Sequence, residues 1–100
     1  VHRGGFVYMM ASKRNGTLYL GVTSDLMRRV SQHRAGEIEG FTKDYGVKML
    51  VWFEHFGDIR SAIRRETQMK GWRRDWKLRV IQERNLEWRD LAVDLGFDPL

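Results

Sequence analysis

Three observations predict an α+β fold for this 100-residue chain. Two short runs of β-forming residues flank an Asn-Gly pair. A third and longer run follows near the middle. Segments with helical spacing and recognisable caps lie between and after them.

The elements follow in order. Val1–Gly5 is a short lead, expected to be mobile. Phe6–Met10 reads as a strand with Phe6, Tyr8 and Met10 on one face and Val7 and Met9 on the other. Asn15-Gly16 is a strong hairpin signal, because both residues tolerate positive φ. Thr17–Val22 alternates again, with Leu18, Leu20 and Val22 on one side and Thr17, Tyr19 and Gly21 on the other. The two strands are therefore expected to pair antiparallel and bring Tyr8 near Tyr19, while the register stays open.

A helix is predicted at about Ser24–Ala35. Thr23, Ser24 and Asp25 supply capping oxygens, and Gly36 suits the residue just past its end. Gly36–Gly46 is a loop, with one helical turn over Phe41–Tyr45. Val47–Phe56 is the richest β-former run and is expected at the sheet's heart, buried on both faces along part of its length. Asp58 caps a helix running from Ile59 to about Lys70. Gly71 then breaks or bends the chain before a third helix that runs to about Glu83. Asn85–Asp94 is a closing turn carrying Trp88 and Leu91. No repeat, low-complexity stretch or second domain is seen, so residues 1–100 read as one domain.

Composition narrows the function classes. An apolar fraction of 42% predicts a folded chain and not a disordered one. With no cysteine, disulfides, thiolate metal sites and cysteine nucleophiles are excluded; this fits a cytoplasmic protein. No run approaches a membrane span, so no membrane partner is expected. The net charge of +5 is unevenly spread. Residues 1–34 carry six basic and one acidic side chain, and residues 58–79 carry eight and three. Arginine outnumbers lysine 13 to 5, and arginine is the better fork for phosphate oxygens. A polyanion partner is the reading; the plain alternative is charge that only keeps the protein dispersed.

The stretch Thr17–Arg34 holds a phenol (Tyr19), a glycine, a helix start and the Arg29–His33 pair. Arg29 and His33 are four apart and share a helical face. On the second helix the apolar stripe Ile59, Ala62, Ile63 runs into Glu66. A carboxylate there needs a cation, a metal or water. Its bland explanations are a salt bridge to Arg29 or another arginine, or a place at the stripe's rim. Trp72 and Trp76 are also four apart; packing is favoured over stacking on a nucleobase.

The motifs Phe6-Val7-Tyr8 and Tyr19-Leu20-Gly21, then Arg29, His33 and Glu66 in this order, resemble the GIY-YIG endonuclease superfamily. The chain is similar to its small single-domain bacterial members, which look like the N-terminal domain of excision nuclease C. The likeness covers nearly the whole chain. It implies a three-stranded antiparallel β-sheet flanked by helices in ββαβαα order. It also implies phosphodiester hydrolysis in DNA, single-stranded or branched DNA included, with one divalent ion, Mg²⁺ or Mn²⁺, and no small-molecule cofactor. Arg29 would clamp the scissile phosphate and Glu66 would hold the ion. Tyr8 or Tyr19 would assist the attacking water, with His33 relaying its proton; which tyrosine acts as base is left open. With no attached recognition domain expected, Arg28, Arg34, Arg65, Lys70, Arg73 and Arg74 are the candidate nucleic-acid contacts. Phe6 stands where the first triplet has glycine, and Val22 where some members carry lysine. A module that binds nucleic acid without cleaving it is the alternative, and a protein-partner domain a more distant one.

Overall fold

A computed structural model of the protein describes residues 4–38 and 40–100; the first three residues of the expected lead lie outside them. The elements are β1 (Gly5–Ala11), β2 (Leu18–Thr23), α1 (Leu26–Arg34), α2 (Phe41–Asp44), β3 (Met49–Phe56), α3 (Ile59–Lys70), α4 (Arg74–Arg84) and α5 (Leu91–Asp94). The sheet is antiparallel throughout, in the order β2-β1-β3.

The strand at the sheet's centre is thus β1, and β3, expected there, is an edge strand. Its apolar richness has a different cause, because both its faces are covered. On one face Val7, Met9 and Ala11 of β1 pack with Ala62 and Met69 of α3 and Ile81 of α4. On the other, Tyr8 and Met10 pack with Leu26 and Val30 of α1 and Ala92 of α5. The alternation read from β1 and β2 holds: Leu18, Leu20 and Val22 join the first cluster and Tyr19 the second.

A bulge breaks the alternation of β3. Met9 pairs with Trp52 and Met10 with Leu50, so Val51 is left over, and Val51 and Trp52 both join the α3–α4 side. The freed Val51 carbonyl accepts from Asn85 Nδ2 at 3.1 Å. Buried Asn85 also donates to the Arg89 carbonyl and accepts from the Arg89 amide, both at 2.9 Å. One amide side chain thereby satisfies backbone groups that would otherwise be buried and unpaired.

Helix starts follow the capping residues. Asp25 Oδ1 accepts from the Arg28 amide at 3.1 Å, and Asp58 Oδ1 from the Ser61 amide at 2.9 Å. At the hairpin only Asn15 takes a positive φ, of 57°; Gly16 does not. Ile63 is exposed, so the inward stripe of α3 is Ile59, Ala62, Glu66 and Met69. Among the described residues no helix is long and apolar enough to cross a membrane.

Candidate active site

The pairing of β1 with β2 sets Tyr8 opposite Gly21 and Met10 opposite Tyr19. This register puts both tyrosines on the α1 side of the sheet. Their ring centroids are 6.1 Å apart. His33, one turn after Arg29 on α1, joins them: its ring lies 5.7 Å from Tyr8 and 5.1 Å from Tyr19. The Tyr8 hydroxyl and His33 Nε2 are 3.0 Å apart. With the imidazole proton on Nδ1, Tyr8 donates this hydrogen bond.

Gly21 makes the cluster possible. A Cβ on Gly21 would stand 2.7 Å from the Tyr8 hydroxyl, 2.8 Å from Tyr8 Cζ and 2.9 Å from Tyr19 Cε2. The glycine is needed for room and not for its backbone angles. We expect Gly21→Ala to push the tyrosine rings off the His33 imidazole and to cost about 1–3 kcal/mol, as overpacking does. Thermal unfolding measures the cost, and Tyr-to-His33 contacts in NOE spectra report the displacement.

Protonation follows burial. Tyr8 is 1% exposed, and loss of water drives its pKa well above the ordinary tyrosine value. Tyr19 and Glu66 oppose its ionisation further, while the Arg29 cation favours it. Burial lowers His33 to about 4, and the Arg29 charge adds to the effect. The free site thus holds a neutral phenol against a neutral imidazole at physiological pH.

The His33 shift makes a stability prediction. Unfolded histidine takes up a proton below about pH 6.5, whereas folded His33 resists until about 4. Stability contributed by neutral His33 is complete above pH 6.5 and is lost as pH falls towards 4. The wild type should lose of order 2 kcal/mol more than His33→Gln between pH 7 and 4.5. Parallel denaturant titrations of the two proteins measure the difference.

Arg29 is half-buried, and among the described residues its guanidinium forms no ion pair. It borders a polar hollow of about 300 Å³ with Thr23, Ser24, Asp25, Arg28 and Gln32. Glu66 comes from the helix on the opposite face of the sheet, yet its charge still acts on Tyr8. Glu66 is 8% exposed, and its cation is Lys70, whose Nζ lies 2.9 Å from Oε2. The arginine partner considered from sequence is not the one present. Hydrogen bonding to Glu66 and its charge raise the Lys70 pKa.

Among the described residues no three carboxylate or imidazole groups cluster as a metal cage. A single carboxylate suits a hard ion that keeps its waters and takes phosphate oxygens from a substrate. Glu66 is the carboxylate among the candidate residues that could take such an ion, in competition with the Lys70 ammonium.

The other basic candidates divide. Arg28 is exposed beside Arg29. Arg34 is turned inward instead of outward: it pairs with Asp90, donates to the Asp98 carbonyl at 3.0 Å and lies over the Phe97 ring. Its guanidinium is spent on the fold, which removes it from the nucleic-acid surface. Arg74 is exposed but donates to the Asn15 and Gly16 carbonyls, at 2.9 and 2.7 Å, and so braces the hairpin. Arg65 reaches Glu54 at 3.6 Å and Arg73 reaches Asp75 at 3.3 Å. Sequence reasoning overlooked the spacing role of Gly21 and the Lys70–Glu66 pair. The second was available as an i,i+4 acid–base spacing.

Comparison with known proteins identifies the family and the fold. The GIY-YIG catalytic domain pattern matches residues 4–79. A UPF0213 protein of Staphylococcus haemolyticus is 37% identical over 79 residues, covering 79% of this chain and 95% of its own. One from Haloquadratum walsbyi is 35% identical over 78 residues, covering 78% and 86%. The solution NMR structure of a UPF0213 protein from Bacillus halodurans superimposes with a TM-score of 0.55 at 24% identity, over 95% of this chain and 99% of that one, and so shares the fold. The chain belongs to the GIY-YIG catalytic domain family.

Proposed function

We propose that the protein is an endonuclease that hydrolyses phosphodiester bonds in DNA with the help of one divalent metal ion. The observation that carries this reading is Arg29: a half-buried guanidinium with no ion pair among the described residues, whose charge acts on both Tyr8 and His33. Elsewhere Arg34, Arg65, Arg73 and Arg89 are neutralised by acids. A cation left unspent beside two phenols and an imidazole is suited to an incoming phosphate.

The residues divide the work. Arg29 binds the non-bridging oxygens of the scissile phosphate and offsets the charge that grows there in the transition state. Tyr8, buried and hydrogen-bonded to His33, positions the pair and keeps its proton in the free protein. Tyr19 is the more exposed phenol and is the one that meets the attacking water. Burial is the larger cause of His33's neutrality and the Arg29 charge the second; an anion at Arg29 cancels that second part, so substrate binding itself makes the imidazole a better proton acceptor. Glu66 would hold Mg²⁺ or Mn²⁺, which supplies positive charge for the leaving oxygen.

The test is cleavage of plasmid, single-stranded and branched DNA with Mg²⁺ or Mn²⁺. The nuclease reading requires products that chelator abolishes. A gel shift at low salt without products would establish a binding module instead.

A further inference from the structure

Two tryptophans and two arginines form a continuous ladder where α3 gives way to α4. The Arg65 guanidinium lies 5.0 Å from the Trp72 ring centroid. Trp72 and Trp76 meet edge to face with centroids 6.0 Å apart. Arg73 in turn lies 5.6 Å from the Trp76 centroid. The inner ring is anchored, because Trp72 packs against the core cluster under α3. The outer ring belongs to neither cluster, and Trp76 is 45% exposed. The remaining two of the four tryptophans, Trp52 and Trp88, are buried. Trp76 is therefore the tryptophan most open to a ligand.

A large ring left in water is a lost burial opportunity that a partner can recover. The surroundings specify the partner. Residues 58–79 carry eight basic side chains against three acidic ones, so the surface stays basic although Arg65 and Arg73, which touch the ladder itself, each reach one acid, Glu54 at 3.6 Å and Asp75 at 3.3 Å. An aromatic face set in cationic surface suits a chain that presents a π-face and a phosphate at each step. A duplex keeps its base faces inside its own stack and offers phosphates and groove edges. An unpaired strand offers both π-face and phosphate. The ladder also starts at Arg65, the neighbour of Glu66 on α3.

We infer that Trp76, backed by Trp72 and flanked by Arg65 and Arg73, is a stacking platform for an unpaired nucleobase, so that single-stranded nucleic acid is the preferred ligand. The inference rests on the nucleic-acid reading above and names the substrate class within it.

Fluorescence anisotropy in EDTA, which prevents cleavage, tests it with labelled oligo(dT), oligo(U) and a blunt DNA duplex of equal length. The wild type should bind the single strands more tightly than the duplex; oligo(dT) and oligo(U) together separate DNA from RNA. Trp76→Ala should weaken single-strand binding about tenfold and leave duplex binding nearly unchanged, as expected for a lost stack. Trp76→Phe, which keeps a ring, should recover most of the affinity. The salt dependence should stay the same, because no phosphate contact is removed. Unchanged single-strand affinity in Trp76→Ala, or equal losses on both ligands, overturns the platform while the nucleic-acid reading stands. No binding to any probe at low salt overturns both. Thermal midpoints of the two variants show whether each is folded.

Discussion

Replacing Arg29 with alanine should lower the single-turnover rate of DNA cleavage by about 10²–10³-fold, the usual effect of removing one preorganised donor at a developing negative charge. The fold should be largely indifferent, since Arg29 forms no ion pair among the described residues. Arg29→Lys should recover only part of the rate, because a point charge replaces a planar fork. A second readout is independent of activity. Arg29 helps to hold His33 at about 4, so Arg29→Ala should move the His33 titration upward. Imidazole resonances followed by NMR from pH 3 to 8 would show it. A variant with full activity and an unmoved His33 would detach Arg29 from the chemistry.

Glu66→Gln should abolish most metal-dependent cleavage and weaken Mn²⁺ binding in calorimetric or EPR titrations, because the neutral amide cannot hold a hard cation as the carboxylate does. Its effect on stability separates two roles. The amide keeps the shape and can still accept from the Lys70 ammonium, now 2.9 Å away. Since Lys70 is exposed, the pair itself contributes little. A change within about 1 kcal/mol is therefore expected. A loss of several kcal/mol with unchanged Mn²⁺ affinity would mark Glu66 as a buried charge that serves the fold alone.

Much of the site was legible because its signals are local. Strand alternation assigned Tyr8 and Tyr19 to faces, and the four-residue spacing put Arg29 and His33 on one side of α1. The spacing on α3 also flagged Glu66 as a charge in an apolar stripe. What was not legible depends on partners distant in sequence. The register that turns Tyr8 and Tyr19 to the same side is fixed by the completed hairpin. The bulge at Val51 hides the edge position of β3, because a strand covered on both faces reads like a central one. Arg34, Arg65 and Arg74 look alike in the sequence. Only the folded chain spends one on Asp90, lays one over Trp72 and hooks one onto the hairpin turn.

Asp90 has a reach that the family boundary conceals. One of its oxygens accepts from the Leu50 amide at 3.2 Å and the Ala92 amide at 3.1 Å, while the other faces Arg34. A single carboxylate so rivets the last turn of α1 to an edge strand and to the C-terminal segment. The matched region stops at residue 79, eleven positions earlier. A fragment trimmed to that limit would keep every proposed reacting group yet strand a guanidinium at the root of the helix that carries them. The C-terminal residues brace the helix that carries the proposed site from beyond the shared motif.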